Sequence, residues 1–164
     1  YEQALVGRFQ ALADAHALVF EANWRHTDLT QVLERTLRPF RRGEGTNVRI
    51  EGPLVPLDPK SALTLSLLFH ELATNAVKYG ALSSEAGTVT VTWSSLPDGA
   101  RPAIRLVWTE RGGPTTSEPQ TQGFGTTLLE KSLSHELDGS AELAFEPEGL
   151  VCTLTFVPGE GDTI

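Results

Sequence analysis

Phe69-His70-Glu71-Leu72-Ala73-Thr74-Asn75-Ala76-Val77-Lys78-Tyr79-Gly80 closes the strongest helical pattern in the chain. Leu65, Leu68, Leu72 and Ala76 recur at three- and four-residue spacing and form one apolar stripe. Asp58 is placed to cap this helix, Pro59 suits its first turn, and Gly80 ends it. Glu71 and Asn75 stand four residues apart, so they share a second face beside the stripe. Polar groups beside an apolar stripe are costly to bury without partners. Phosphates and a metal ion would be such partners. The Asn75 side-chain carbonyl is a hard donor suited to Mg²⁺, Glu71 can orient a water or a magnesium-bound water, and Lys78 can reach a phosphate as a point charge. Taken alone, the same residues also suit a core helix whose polar side faces solvent.

Downstream, Thr88–Trp93 alternates Val89, Val91 and Trp93 against threonines, and Ala103–Trp108 reads as a second strand. That strand leads into Trp108-Thr109-Glu110-Arg111-Gly112-Gly113-Pro114. A carboxylate at a strand exit, followed by glycines that let backbone approach a flat ring, can accept a hydrogen bond from an adenine amino group. An ordinary turn has the same composition. Residues 111–122 are rich in Gly, Pro, Thr and Ser and read as a loop. Gly123-Phe124-Gly125-Thr126-Thr127-Leu128-Leu129 then opens a helix expected to run from Gly125 to about Leu137. Glycines at a helix start expose unpaired N–H groups, a seat for phosphate, although a lone Gly-x-Gly is common. The chain has neither the Walker lysine pattern nor the full dinucleotide fingerprint. Gly139 ends the helix, and Ser140–Phe145 with Leu150–Val157 predict a closing hairpin around Pro147-Glu148-Gly149.

Upstream, Leu5, Phe9, Leu12, His16 and Val19 mark an amphipathic helix from Tyr1 to about Ala22. A second helix is expected from about Asp28 to Phe40, with Thr27 as its N-cap and Leu29, Val32, Leu33 and Leu37 on one face. Asn47–Ile50 and Leu54–Leu57 read as short strands around a Gly52-Pro53 turn. This order predicts an α/β (α+β) fold: a two-layer sandwich with helices on one face of a mixed sheet, plus an N-terminal helix.

A length of 164 residues suits about one domain, and 40% hydrophobic against 21% charged residues permits a packed core. The net charge of −8 argues against a nucleic-acid partner. Arg38, Arg41 and Arg42 form the one basic cluster and read as a solvated helix end. A lone Cys152 in an apolar stretch excludes a disulfide within the chain and points to a buried thiol in a reducing, cytoplasmic setting. No apolar run approaches the roughly 18 residues of a membrane span, and no signal peptide opens the chain. The chain starts at Tyr1 and contains no methionine, so it is expected to be a piece of a longer protein.

An Asn-bearing helix, a strand ending in an acid and glycines, then a loop and a Gly-x-Gly helix start resemble the Bergerat (GHKL) ATP-binding fold. Within that fold the chain most resembles the catalytic half of an HWE-type sensor histidine kinase. His70 directly before Glu71, and Trp108 two residues before Glu110, are the features for which that subfamily is named. The resemblance covers about Asp28 to Val157, with Arg8–Leu18 similar to the end of the preceding dimerisation and phosphoacceptor region. It implies a remnant of that region over residues 1–25 and a catalytic ATP-binding domain over residues 28–158. It also implies Asn75 as magnesium ligand, His70 and Glu71 at the transfer site, and Lys78 and Tyr79 beside ATP. Glu110, Gly112 and Gly113 would lie at the adenine, and Gly123, Gly125, Thr126, Thr127 and Leu128 along the nucleotide. The activity implied is that of a protein-histidine kinase (EC 2.7.13.3), with ATP, Mg²⁺, a response-regulator receiver and the upstream phosphoacceptor helix of its own or a paired chain as partners, in a homodimer.

The chain departs from the family pattern in several places. Glu110 replaces the usual aspartate, Pro114 replaces a glycine, the loop from Thr115 to Gln122 is short for an ATP lid, and no distinct phenylalanine box is visible. No histidine has phosphoacceptor surroundings: His16 lies on a packing stripe, and His26 and His135 carry no motif. The chain alone is therefore expected to bind ATP without labelling itself. Two other functions fit parts of the pattern. A degenerate receiver-docking domain would lack ATP binding, and a GHKL ATPase of the gyrase or heat-shock chaperone type would use Glu71 as a base for water.

Overall fold

The computed structural model describes residues 27–97, 103–114 and 137–158. In chain order these form β1 (Thr27–Asp28), α1 (Leu29–Leu37), a 3-10 turn (Arg38–Phe40), β2 (Val48–Glu51), β3 (Pro56–Leu57) and α2 (Pro59–Tyr79). A second 3-10 turn (Ala81–Ser83) leads to β4 (Thr88–Leu96), β5 (Ala103–Arg111), β6 (Ser140–Glu146) and β7 (Gly149–Phe156). Five strands make one mixed sheet in the order β2-β4-β5-β7-β6. The pair β2–β4 is parallel, as its connection through α2 requires, and the other pairs are antiparallel. The two-layer mixed architecture is the one expected.

Alternation in the strands decides which face carries the core. Val89, Val91 and Trp93 of β4, Ile104, Leu106 and Trp108 of β5, and Cys152, Leu154 and Phe156 of β7 are all buried. They meet Leu65, Leu68, Phe69, Leu72, Ala73 and Ala76 of α2 and Leu29, Val32, Leu33 and Leu37 of α1 in one cluster. Each large side chain so buried contributes about 1.5–3 kcal/mol. Cys152 is buried, as expected. Among the described residues no helix is long and apolar enough to cross a membrane.

The long helix begins as its sequence predicts: Asp58 is the N-cap, its Oδ1 accepting from Ser61 N–H at 3.3 Å, and Gly80 is the C-cap. Helix α1 differs at both ends. Its N-cap is Asp28, whose Oδ1 accepts from Gln31 N–H at 2.9 Å, and not Thr27. Thr27 is engaged otherwise, pairing with Leu57 in the small sheet and donating through its hydroxyl to Gln31 Oε1 at 2.9 Å. The α-helix stops at Leu37 and tightens into a 3-10 turn containing Pro39, which has no N–H for an α-helical bond. The expected strands on either side of Gly52-Pro53 do not pair with each other. β2 joins the large sheet and β3 pairs with β1. Pro53 and Pro56 cannot donate to a ladder, and Trp93 Nε1–H holds the Pro53 carbonyl at 2.8 Å.

The basic cluster is not merely a solvated helix end. Arg41 Nη1 donates to the carbonyls of Gly45 at 2.8 Å and Val48 at 2.7 Å, and its Nη2 meets Glu34 at 3.1 Å. Arg42 Nη2 donates to the Ser84 carbonyl at 2.9 Å. These two side chains fasten the loop that delivers β2 to the sheet.

Candidate nucleotide site

Helix α2 buries its apolar stripe against the sheet and leaves the residues singled out above on its other side. His70, Glu71, Thr74 and Asn75 are half-buried, while Lys78 and Tyr79 are exposed. Glu71, Asn75 and Lys78 follow one another at four and three residues, the spacing of a single helix face. The Thr74 hydroxyl donates to the His70 carbonyl one turn back and so stays with its own helix. The His70 ring packs edge-on against Phe40, with centroids 5.9 Å apart and planes at 68°. His70 thus joins α2 to the turn after α1.

Glu110 sits at the other wall. It lies on β5 two residues beyond Trp108, so both side chains point to the same face of the sheet. That face is the core face, and Glu110 is only 2% exposed. Its Oε1 accepts from the Ala81 backbone N–H at 3.0 Å, and its Oε2 accepts from Trp108 Nε1–H at 3.0 Å. Burial raises the Glu110 pKa above the ordinary 4.5, and the bonds from Ala81 and Trp108 act against that rise. Gly80 makes room for the carboxylate: a Cβ there would collide with Oε1.

The glycines after Glu110 have a use that the sequence did not indicate. A Cβ on Gly112 would lie 2.6 Å from the Ala86 carbonyl oxygen, and one on Gly113 would lie 2.5 Å from Ala81 Cα. Their bare backbone closes the end of β5 onto the connection between α2 and β4. The Ala81 amide and the space at Gly80 were not predicted as parts of the site. Gly80 is legible in sequence only as the end of the helix, and a backbone N–H occurs at every residue except proline and leaves no trace in sequence. Gly123, Gly125, Thr126, Thr127 and Leu128 lie outside the described residues, as does His16.

The donor set decides what these walls can hold. Among the described residues no group of three or more His, Cys, Asp or Glu side chains could cage a metal. One amide (Asn75) and one carboxylate (Glu71) a helical turn apart suit Mg²⁺, which takes few protein oxygens and completes its shell with water and phosphate. The Glu110 carboxylate has four acceptor positions, of which two are filled by Ala81 and Trp108, so it retains capacity for an amino donor. A separate cavity of about 440 Å³ is lined by Arg42, Gly43, Glu44, Thr46, Asn47 and Glu85 and shares no residue with these walls. One guanidinium against two carboxylates is a poor cradle for a polyphosphate.

Known proteins resemble this chain in sequence and, separately, in fold. The family model for HWE histidine kinase matches residues 1–54. The blue-light-activated histidine kinase of Brucella anthropi is 40% identical over 144 residues, covering 88% of this chain and 29% of that protein. The chain therefore spans less than a third of the length of the curated relatives it matches. The histidine kinase domain of the Erythrobacter litoralis blue-light-activated kinase superposes with a TM-score of 0.59 at 15% identity, over 92% of this chain and 71% of that one. The catalytic domain of the histidine kinase ThkA gives 0.57 at 16% identity, over 82% and 97%.

Proposed function

We propose that this chain, similar in sequence to the HWE histidine kinases and in fold to histidine-kinase catalytic domains, is the ATP-binding catalytic domain of a two-component sensor kinase. Residues 28–158 form that domain, and residues 1–25 are the end of the dimerisation and phosphoacceptor region. The γ-phosphoryl of ATP passes to a histidine on an upstream helix of the same or a paired chain, and from there to a response-regulator receiver. The setting is cytoplasmic.

The observation that carries this reading is the convergence at the end of α2. Its polar face carries Glu71, Asn75 and Lys78, and Ala81, just past its Gly80 cap, is bonded through its backbone N–H to Glu110. Asn75 would hold magnesium, which when bound would supply charge neutralisation to the phosphates. Glu71 orients a water or the incoming imidazole, and Lys78 places a positive charge near the phosphate chain. Glu110 accepts from the adenine amino group. Gly123, Gly125, Thr126, Thr127 and Leu128 complete the nucleotide side. Catalysis of this kind rests on positioning and electrostatics rather than covalent chemistry by the protein.

The test is incubation of the full-length protein with γ-labelled ATP and magnesium. Label that survives alkali, is lost in acid and is abolished by Asn75→Ala supports the reading. Normal labelling of Asn75→Ala contradicts it.

A further inference from the structure

Trp108 and Glu110 are more than neighbours on a strand. The Trp108 ring is fully buried, yet its one polar atom donates to Glu110 Oε2 at 3.0 Å. The other oxygen, Oε1, is fixed from the far side by Ala81 N–H, and the volume it fills is one that Gly80 leaves empty. A glutamate has more rotatable bonds than an aspartate and loses more freedom when ordered. At a wall that must present an acceptor in one direction, it needs to be held. Two N–H donors aimed at a buried carboxylate fix its direction and offset part of the cost of burying its charge. Phenylalanine would fill much of the same space as Trp108 but would offer no donor.

We propose that Trp108 is a positioning residue for base recognition: with the Ala81 amide it holds the Glu110 carboxylate so that its remaining acceptor positions face an adenine amino group. The inference rests on the reading of Glu110 as the adenine acceptor and extends it to the residue that sets the acceptor's direction. Trp108 acts through Glu110 and does not touch the nucleotide. The consequence is selective. Losing the indole N–H should harm nucleotides bearing the amino donor and largely spare those without it.

Inosine triphosphate is the probe, because it carries a carbonyl where adenine carries its amino group. ATP and inosine triphosphate are titrated calorimetrically into the wild-type chain, Trp108→Phe, and a chain whose residue 108 is the tryptophan analogue with sulfur in place of the indole N–H. The analogue keeps the ring volume and removes only the donor, so it decides the matter if the phenylalanine variant fails to fold. The wild type should prefer ATP by about tenfold or more, the loss expected when a site's acceptor meets a carbonyl. Both variants should bring the ratio close to one by weakening ATP alone. A parallel loss for both nucleotides with the ratio preserved would mean that Trp108 is only a packing residue, and would overturn the proposal. Equal affinities in the wild type would instead remove the adenine role of Glu110, and the proposal with it.

Discussion

Glu110 Oε1 lies 3.0 Å from the backbone nitrogen of Ala81, so the end of β5 is tied to the residue just past the Gly80 cap of α2. The bond depends on Gly80, where a methyl group would occupy the position of the carboxylate oxygen. Gly80→Ala should push Glu110 aside, leave the Ala81 amide buried without its acceptor, and cost about 1–3 kcal/mol. Denaturant unfolding measures the loss, and titration with ATP should show weaker binding in the folded variant. Unchanged stability and affinity would show that the carboxylate can be seated elsewhere.

Burial makes Glu110 hold its proton more tightly in the folded chain than in the unfolded one. The sign follows from linkage. This group favours folding most below its ordinary 4.5, and that contribution declines as pH rises from there through the raised pKa. Glu110→Gln removes the titration. The difference in unfolding free energy between wild type and Glu110→Gln should therefore shift against the wild type as pH increases through this window, then stay level. A difference that is flat with pH would mean that the carboxylate is not desolvated.

Asn75 is half-buried on the polar face of α2, beside the core and not within it. Asn75→Ala should change stability by less than about 1 kcal/mol, as surface substitutions do. It should nonetheless abolish the part of ATP affinity that magnesium supplies. Thermal unfolding and titrations with and without magnesium separate the two effects. A large fall in melting temperature would place Asn75 among the structural residues.

Gly149 opens β7 with φ +147, and a Cβ there would collide with the Glu110 carbonyl oxygen. Arg111 Nη1 donates to that same carbonyl at 2.9 Å. Gly149→Ala should destabilise the fold by about 2 kcal/mol or more, because it combines an unfavourable backbone conformation with a backbone collision. The denaturation midpoint reports it. A midpoint equal to wild type would show that the hairpin can shift away from β5.

Much of this fold was legible because its signals are local. The stripe Leu65, Leu68, Leu72 and Ala76, with Asp58, Pro59 and Gly80 at the ends, marks α2, alternation against threonines marks β4, and apolar runs between turn residues mark β5 and the closing hairpin. The misreadings fall where neighbours compete. Thr27 and Asp28 are both good caps, and only the pairing of Thr27 with Leu57 leaves the cap to Asp28. Arg41 read as solvated because its acceptors are backbone carbonyls at Gly45 and Val48, which have no side-chain signature. The site was legible in the same uneven way. The spacing of Trp108 and Glu110 places them on one face of a strand, but the Ala81 amide that completes the clasp comes from a distant part of the chain. The close packing of Gly112 and Gly113 against Ala86 and Ala81 likewise involves backbone from another part of the chain.

Calorimetric titration of this chain with ATP and with GTP, each with and without magnesium, tests the nucleotide site most directly. ATP should bind, magnesium should strengthen that binding, and GTP should bind about tenfold or more weakly because its carbonyl would face the Glu110 carboxylate. No heat with ATP, or equal affinity for the two nucleotides regardless of magnesium, would contradict this.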